Sequence, residues 1–229
     1  MDLKISAFFP AHNEEANVEA LTRKTAKVLS EICSDYEVII VNDGSKDRTR
    51  EIAEALAGEN PKIRVINHEI NRGYGAAVKS GLYGARLEWV FFTDGDGQFD
   101  VNEIKELAKH TGEADFIAGY RIKRADSFMR KLNAFAWGTM VKLLFHFKVR
   151  DVDCAFKLFK KEIIDRAKPE AEGAMISTEL LAKANKMGYK IMEVGVHHYP
   201  RTAGSQTGAK IKVILRAFVE LFKLYRKLK

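Results

Sequence analysis

The stretch Trp89-Val90-Phe91-Phe92-Thr93-Asp94-Gly95-Asp96-Gly97-Gln98 changes character at its midpoint. Its first half is apolar, which is typical of a buried β-strand, and its second half places two carboxylates between glycines. Because neighbouring carboxylates repel each other, Asp94 and Asp96 predict a bound cation. Mg²⁺ is usually held by one or two carboxylates together with substrate phosphates. The stretch therefore predicts a metal–diphosphate site at the carboxyl end of a strand; the alternative is a solvated Asp-Gly turn.

Strand and helix signals alternate on both sides of this stretch. The predicted strands are Leu3–Phe9, Tyr36–Val41, Ile63–Ile66, Glu88–Thr93 and Phe116–Ala118. The predicted helices are Glu14–Ile32, the segment after Asp47 to about Ala57, Gly73–Arg86 and Val101–His110, with Asp47 and Asp100 as candidate N-caps. This order predicts an α/β fold with a mostly parallel central sheet and helices on both faces. Ligands of such sheets bind outside the carboxyl ends of the strands, so we expect Asp43, Asp94 and Asp96 to converge.

The second half of the chain is less regular. It predicts a helix over Ser127–Phe147, a strand over Ala155–Phe159, a helix over Ser177–Met187 and a strand over Tyr189–Val196. We expect residues 1–208 to form one catalytic domain and residues 209–229 to form a separate helical tail. The two cysteines, Cys33 and Cys154, lie far apart in the chain and predict reduced thiols rather than a disulfide framework.

Composition excludes several classes of protein. Hydrophobic residues make up 46% and charged residues 30% of the 229 residues, which argues against a disordered chain. The N-terminus does not have the layout of a signal peptide, and no apolar run approaches the roughly 20 residues needed to span a bilayer. Neither zinc-finger spacing nor an RNP-like aromatic motif is present, so we expect no nucleic-acid partner. We expect a cytoplasmic protein.

The positive charge is concentrated in the tail. Residues 209–229 hold seven basic residues against Glu220 alone, a net charge of +6 out of +7 for the whole chain. The helical period places the charged residues Lys212, Arg216, Glu220, Lys223 and Lys227 on one polar face. The opposite face carries Ile214, Phe218, Leu221, Phe222 and Tyr225. This pattern predicts a helix at an anionic membrane surface, peripheral on the cytoplasmic face. The alternative is docking on its own domain or on a partner, such as a membrane-anchoring subunit.

Four motifs resemble, in order and spacing, the signatures of family 2 glycosyltransferases of the GT-A fold. They are Pro10-Ala11-His12-Asn13-Glu14-Glu15, Val41-Asn42-Asp43-Gly44-Ser45-Lys46-Asp47, Asn71-Arg72-Gly73-Tyr74-Gly75-Ala76-Ala77 and Asp94-Gly95-Asp96-Gly97-Gln98. The resemblance extends over residues 3–207 and is greatest to dolichol-phosphate mannose synthase and related polyprenyl-phosphate glycosyltransferases. It implies an inverting, Mg²⁺- or Mn²⁺-dependent enzyme. Such an enzyme moves a hexose from a donor of the GDP-mannose or UDP-glucose type to a polyprenyl (dolichyl) phosphate.

The resemblance also implies which residues bind the donor nucleotide. These are Pro10, Ala11, Asn13, Glu14, Asp43, Gly73, Gly75, Lys79, Asp94 and Gly95. Each has a structural alternative. Glu14 is also suited to a helix N-terminus, and Asp43 to an Asx turn. Gly73 and Gly75 are also suited to helix–strand packing, and Lys79 to a solvated helix face.

Asp94, Asp96 and Gln98 are the implied metal ligands, and Gln98 also suits a phosphate contact or a surface turn. Arg201 and Ser205 resemble a loop that closes over the diphosphate, where an Arg excludes water and adds charge stabilisation. With Asp96, Arg201 is therefore a candidate catalytic residue.

The acceptor side is less well matched. Arg121, Arg130 and Lys131 are the implied cations for a lipid phosphate, with a solvated basic loop as the alternative. Residues 151–157 resemble a segment that the family often writes as Asp-x-Thr-Ser-Gly-Phe-Arg, but Asp153, Ala155 and Lys157 depart from it. Asp151 or Asp153 is a candidate base for a hydroxyl acceptor, or a group that only positions others. The resemblance places Glu179 at the sugar site, and a helix N-terminal acid is the alternative.

Three other functions stay open at this point. The first is sugar transfer to a saccharide or another hydroxyl acceptor, for which Asp151 is essential as a base. The second is a sugar nucleotidyltransferase, although the sequence lacks an obvious Gly-rich triphosphate loop near the N-terminus. The third is a noncatalytic, membrane-associated binding module.

Overall fold

The computed structural model describes residues 2–122, 138–145, 149–173, 175–201 and 211–228, with side chains of the last segment described from residue 218 onward. The strands are β1 (Lys4–Ala11), β2 (Asp35–Asp43), β3 (Ile63–His68), β4 (Trp89–Thr93), β5 (Phe116–Arg121), β6 (Phe156–Lys160) and β7 (Ile191–Val196). The helices are α1 (Val18–Ile32), α2 (Thr49–Glu59), α3 (Tyr74–Gly84), α4 (Ile104–Ala108), α5 (138–145), α6 (Lys161–Ala167), α7 (Ile176–Lys186) and α8 (Ile211–Leu228).

The strands form one seven-stranded sheet in the order β3-β2-β1-β4-β6-β5-β7. The pairs β1–β2, β2–β3, β1–β4 and β5–β7 are parallel, whereas β6 is antiparallel to both β4 and β5. Helix α1 packs with both α2 and α4, and helix α3 packs with α7. The predicted α/β fold with a mostly parallel sheet is confirmed, and it is the architecture that the GT-A resemblance implies.

The core of the sheet is apolar on both faces. Strand β4 is buried at every position, as the run of apolar residues predicts. Phe8 of β1 stacks on Phe92 of β4 with their ring centroids 5.1 Å apart. Helix α3 approaches this pair closely because Gly81 carries no side chain; a Cβ there would collide with the ring of Phe8. The small residues of α3 therefore bring its N-terminus close to the end of β4.

The carboxyl ends of β1, β2 and β4 lie side by side, and this edge carries the predicted site. Ala11 pairs with Asn42 in the β1–β2 register, so the residues after β1 lie beside Asp43. Pro10 lies inside β1, one residue before the end of the strand, rather than closing it. The pairing of β1 with β4 ends at Phe8, so the missing N–H of Pro10 costs no hydrogen bond to β4.

Several element boundaries differ from those that the pattern predicts. Helix α1 begins at Val18 instead of Glu14, because the preceding residues form a loop that bonds to the segment after β2. Asp100 accepts a hydrogen bond from the backbone N–H of Asn102 at 3.0 Å, as predicted for a cap. The helix it precedes starts as a short 3₁₀ turn and ends at Ala108, not His110. Most of the predicted helix over Ser127–Phe147 lies outside the described residues.

Helix α8 docks on its own domain through part of its described surface. Leu221 and Leu224 are buried, and Nζ of Lys227 lies 2.6 Å from Oε2 of Glu170. These contacts agree with the docking alternative for the tail. The helix predicted for the tail is present, and among its side chains described from residue 218 onward Leu221 and Leu224 are the fully buried ones.

The opposite flank of α8 remains exposed. Phe218, Val219 and Phe222 have 46%, 55% and 66% of their surfaces accessible. Phe222 follows Leu221 directly, and the helical turn of about 100° per residue carries it away from the buried leucines. The sequence pattern placed both side chains on one apolar face, whereas the structure buries one and exposes the other. No described helix is both long and apolar enough to pass through a bilayer.

Candidate active site

The turn after β4 is shaped by its two glycines. A Cβ on Gly95 would collide with the carbonyl oxygen of Pro10, so the turn can lie against the end of β1 only with glycine at this position. Gly97 has a φ of +71°, in the left-handed region that favours glycine. The turn thus brings Asp94 and Asp96 to the edge where β1, β2 and β4 end.

Asp94 is the more strongly perturbed of the two carboxylates. Burial and, after it, the negative charge of Asp96 together raise the pKa of Asp94 to about 7. The hydroxyl of Tyr74 donates a hydrogen bond to Oδ1 of Asp94 at 2.9 Å and offsets part of this effect. The protein therefore leaves Asp94 short of positive charge at neutral pH.

Asp96 lies beside a cation. Nη2 of Arg201 is 3.3 Å from Oδ2 of Asp96 and 2.9 Å from Oε1 of Glu14, and all three side chains are largely buried. Burial raises the pKa of Glu14. The backbone N–H of Gln98 donates to Oδ1 of Asp96 at 3.1 Å. The structure thus brings together three predicted site residues: Glu14 from the first motif, Asp96 from the metal motif and Arg201 from the polar loop.

Gln98 ties the metal motif to the segment that carries Arg201. Its side-chain Nε2 donates to the carbonyl oxygen of Tyr199 at 2.7 Å, and the N–H of Tyr199 donates back to the carbonyl oxygen of Gln98 at 2.8 Å. These reciprocal bonds fix the chain two residues before Arg201. Gln98 therefore has a positioning role in this structure, and its role as a metal ligand stays a prediction.

The first and second motifs are bonded to each other. Asn13, with a φ of +56°, donates its N–H to Oγ of Ser45 at 3.1 Å, and its Oδ1 accepts from the N–H of Lys46 at 2.8 Å. The N–H of Glu14 donates to Oγ1 of Thr49 at 2.8 Å. Pro10 and Ala11 end the strand below this loop. The predicted nucleotide-binding loop is thereby held rigidly against the second motif.

Asp43 holds the third motif in place. Its buried carboxylate accepts from Nδ1 of His68 at 2.6 Å and from the backbone N–H groups of Arg72 and Gly73 at 2.9 and 2.8 Å. Gly73 has a φ of +93° and is the N-cap residue directly before α3. The carboxylate therefore organises the loop before α3, and its contact with a nucleotide stays a prediction.

Gly75 and Lys79 face a different segment from the one expected. A Cβ on Gly75 would collide with the backbone of Glu172 and Gly173, so this glycine permits close packing of α3 against residues 172–173. Nζ of Lys79 lies 3.4 Å from Oε1 of Glu172. The structural alternative for Gly75 was packing against a strand, but the residue packs against this loop instead. Contact of Gly75 or Lys79 with a nucleotide stays a prediction.

Glu179 forms hydrogen bonds with residues 170–171 of the same loop. Its buried carboxylate accepts from the N–H groups of Glu170 and Ala171 at 2.9 and 2.7 Å, and Nζ of Lys183 lies 2.5 Å from its other oxygen. These contacts give Glu179 a structural role in the loop before α7, and its contact with a sugar stays a prediction.

Arg121 and Asp151 form a bidentate ion pair. Nε and Nη2 of Arg121 donate to Oδ2 and Oδ1 of Asp151 at 2.6 and 2.7 Å, and only 11% and 12% of the two side chains are exposed. Burial lowers the pKa of Arg121, but the bonds to Asp151 outweigh that effect and raise it. The ion pair thus holds the guanidinium of Arg121 against the carboxylate of Asp151.

A buried lysine lies behind this pair. Nζ of Lys157 donates to the carbonyl oxygen of Val152 at 3.2 Å and to that of Cys154, and burial lowers its pKa. The lysine shapes the turn that follows Asp151. Asp153 is exposed on that turn.

Not every predicted site residue can be placed. Arg130, Lys131 and Ser205 lie outside the described residues. Conversely, Tyr74 lies within the third motif and reaches Asp94, although the sequence pattern did not single it out. The available signal was topological, because α3 precedes β4 and its N-terminus lies at the sheet edge where β4 ends.

The carboxylates of Asp94 and Asp96 suit a hard cation that completes its coordination shell with ligands from outside the protein. Within the described part of the chain, no three His, Cys, Asp or Glu side chains are grouped as a metal site. Two carboxylates at one turn, one of them with a raised pKa, match an ion that also takes phosphate oxygens and water. Asp94 and Asp96 are the residues that would hold it.

Comparison with known proteins places this geometry in a family. The family model described as "Glycosyl transferase family 2" matches residues 6–167. A dolichyl-phosphate beta-glucosyltransferase of Trichomonas vaginalis is 31% identical, over 96% of this chain and 72% of its own length. An undecaprenyl-phosphate 4-deoxy-4-formamido-L-arabinose transferase of Pectobacterium carotovorum is 28% identical, over 93% of this chain and 65% of its own.

The fold recurs in solved structures. Glucosyl-3-phosphoglycerate synthase from Mycobacterium tuberculosis, solved with Mn²⁺ and UDP-glucose, superposes with a TM-score of 0.74. The match is 20% identical and includes 97% of this chain and 78% of the synthase chain, so it establishes a shared fold. Together with the family match over most of the catalytic motifs, this leads to one conclusion: the chain belongs to glycosyl transferase family 2.

Proposed function

We propose that this glycosyltransferase moves a hexose, with inversion, from a nucleotide-diphosphate sugar to a polyprenyl phosphate. The names of the relatives support this acceptor, since they include dolichyl-phosphate and undecaprenyl-phosphate transferases. The glucosyl relatives make UDP-glucose the first donor to assay, with GDP-mannose as the comparison. Family membership argues against a nucleotidyltransferase and against a noncatalytic module.

One observation carries the choice of acceptor: the bidentate pair of Arg121 with Asp151. A general base needs a carboxylate oxygen that can take a proton from a hydroxyl acceptor. Here both oxygens of Asp151 accept hydrogen bonds from the guanidinium of Arg121, so the carboxylate is already engaged in an ion pair. A phosphate acceptor is already anionic near neutral pH and needs no base. Asp151 then serves to orient Arg121 for the acceptor phosphate.

The donor side is proposed to depend on Mg²⁺ or Mn²⁺. Asp94 and Asp96 would hold the ion, which neutralises the charge that develops on the leaving nucleoside diphosphate. Arg201 lies beside Asp96 and adds positive charge at the same place. Glu14 holds the guanidinium in position through its 2.9 Å contact. The structural neighbour with Mn²⁺ and UDP-glucose supports this arrangement by analogy of fold.

The rival within the family is transfer to a hydroxyl group. Replacement of Asp151 by Asn separates the two, because the amide keeps one acceptor oxygen for Arg121 but removes a base. Under the phosphate proposal, we expect a rise in the KM for polyprenyl phosphate and a loss of turnover of about tenfold. A loss of 10²–10⁴-fold in kcat, as for removal of a general base, would contradict it. Asp165→Asn, in the exposed pair with Lys161, is the matched control.

The exposed flank of α8 is proposed to contact an anionic membrane surface on the cytoplasmic side. Phe218, Val219 and Phe222 are exposed together, and Lys223 and Arg226 are exposed on the same helix. Aromatic and basic residues side by side favour the interface of an anionic bilayer, where a polyprenyl phosphate would be presented. This assigns residues 1–208 to catalysis and residues 209–229 to attachment, and a membrane-anchoring subunit would serve the same purpose.

A further inference from the structure

The hydroxyl of Tyr74 donates a hydrogen bond to Oδ1 of Asp94, with 2.9 Å between the oxygens. Tyr74 is the first residue of α3, and Asp94 is the first residue after β4. The bond therefore joins the N-terminus of a helix to the carboxylate at the end of a strand 20 residues later in the chain. Tyr74 is not one of the implied metal ligands Asp94, Asp96 and Gln98, yet it contacts the first of them.

The backbone around Tyr74 is fixed on both sides. The N–H of Gly73, at a φ of +93°, is bound by the carboxylate of Asp43 at 2.8 Å. Gly75 is packed so closely against residues 172–173 that a Cβ would collide with their backbone. The position of the phenol is thus set by the fold rather than by the free rotation of a surface side chain.

The two carboxylates of the metal motif have different partners. Asp96 lies beside the guanidinium of Arg201, whereas Asp94 accepts from a neutral phenol. A neutral donor can orient a carboxylate without competing for its charge. In metal sites, partners of this kind hold the ligand in its binding orientation, and their loss typically lowers metal affinity 10–100-fold.

We propose that Tyr74 is a positioning residue that holds Asp94 in the orientation needed for the divalent cation. This inference rests on the metal-dependent function proposed above and adds to it a residue outside the ligand set. Tyr74 is 44% exposed as a residue, and Tyr74→Phe keeps its ring and removes only the hydroxyl. Tyr74→Phe therefore isolates the hydrogen bond.

The test measures binding of Mn²⁺ to the purified full chain by the electron paramagnetic resonance signal of the free ion, with and without UDP or GDP. We expect Tyr74→Phe to weaken Mn²⁺ binding about tenfold, while nucleotide affinity in the presence of a chelator is unchanged. Tyr83→Phe is the matched control, because Tyr83 is on the same helix, is 49% exposed and donates to the carbonyl oxygen of Pro169 at 3.1 Å. The control should bind Mn²⁺ like the wild type.

The outcomes separate this inference from the proposed function. If the wild type binds Mn²⁺ and Tyr74→Phe binds it equally well, the role of Tyr74 is refuted and the metal site stands. If the wild type binds no Mn²⁺ with either nucleotide, both the role of Tyr74 and the metal-dependent function are refuted. Equal thermal unfolding of the two Phe variants would show that the difference does not come from misfolding.

Discussion

Nη2 of Arg201 lies 3.3 Å from Oδ2 of Asp96, so a protein cation occupies the surroundings of a carboxylate proposed to hold a metal ion. Arg201 and the divalent ion should then compete for the same negative charge in the absence of nucleotide. We expect Arg201→Gln to bind Mn²⁺ alone up to about tenfold more tightly, equivalent to about 1.4 kcal/mol, yet to turn over more slowly. Calorimetric titration with Mn²⁺ and a donor-hydrolysis assay measure the two effects.

Arg201→Lys is the matched variant, because it keeps the charge and should keep most of the competition. The competition is contradicted if Arg201→Gln binds Mn²⁺ more weakly than the wild type does.

The raised pKa of Asp94 predicts a pH dependence of stability. Burial and the charge of Asp96 raise its pKa to about 7, against about 3.9 in an unfolded chain. The folded state therefore binds the proton more tightly, and stability falls as the pH rises from about 4 to about 7. We expect Asp94→Asn to remove this loss. Its free energy of unfolding, relative to wild type, should rise by about 1–2 kcal/mol between pH 5 and pH 8, once partial solvent screening is allowed for.

Urea unfolding in the presence of a chelator is the measurement. A difference between Asp94→Asn and wild type that stays constant from pH 5 to pH 8 would refute the raised pKa.

Gly75 and Gly58 offer a matched pair of helix glycines with opposite surroundings. A Cβ at Gly75 of α3 would collide with the backbone of residues 172–173, whereas a Cβ at Gly58 of α2 would meet no atom within 4 Å. We expect Gly75→Ala to destabilise the protein by about 1–3 kcal/mol through overpacking. Gly58→Ala should be neutral or stabilise it by up to about 1 kcal/mol through helix propensity. Thermal unfolding of both variants checks this, and equal effects would argue against the packing of α3 on that loop.

The exposed flank of α8 predicts binding to lipid vesicles. Phe222 has 66% of its surface accessible, and transfer of a Phe side chain into an apolar environment contributes about 1.5–3 kcal/mol. We expect Phe222→Ser to weaken binding to vesicles containing phosphatidylglycerol by at least about tenfold in co-sedimentation. Ile70→Ser is the control, since Ile70 is 73% exposed in a loop outside α8. The membrane proposal fails if both variants bind as the wild type does, or if both lose binding alike.

The sequence predicted the alternation of strands and helices, but not the direction of β6. Its residues Phe156–Phe159 are buried on both faces, as the residues of the parallel strand β4 are. Periodicity reports burial and not strand direction, so the antiparallel insertion between β4 and β5 is visible only in the register. The pattern of α8 likewise could not tell Leu221, which is buried, from Phe222, which is exposed.

The sequence also located the edge of the sheet that carries the site, because each motif follows a strand or begins a helix. The sequence could not predict which groups form hydrogen bonds with one another at that edge. The carboxylate of Asp43 accepts hydrogen bonds from the backbone N–H groups of Arg72 and Gly73. The carboxylate of Glu179 accepts them from the backbone N–H groups of Glu170 and Ala171. Such contacts depend on how loops from distant parts of the chain fold over one another, which no local pattern records.

The central claim is sugar transfer to a lipid phosphate, and an acceptor comparison tests it most directly. The full chain is incubated with radiolabelled UDP-glucose or GDP-mannose, Mn²⁺ or Mg²⁺, and either a polyprenyl phosphate or the matching free polyprenol in anionic vesicles. We expect metal-dependent label in the organic phase with the polyprenyl phosphate only, and we expect this label to be lost in Asp94→Asn. Transfer to the free alcohol or to a soluble saccharide hydroxyl, with none to the polyprenyl phosphate, would contradict it.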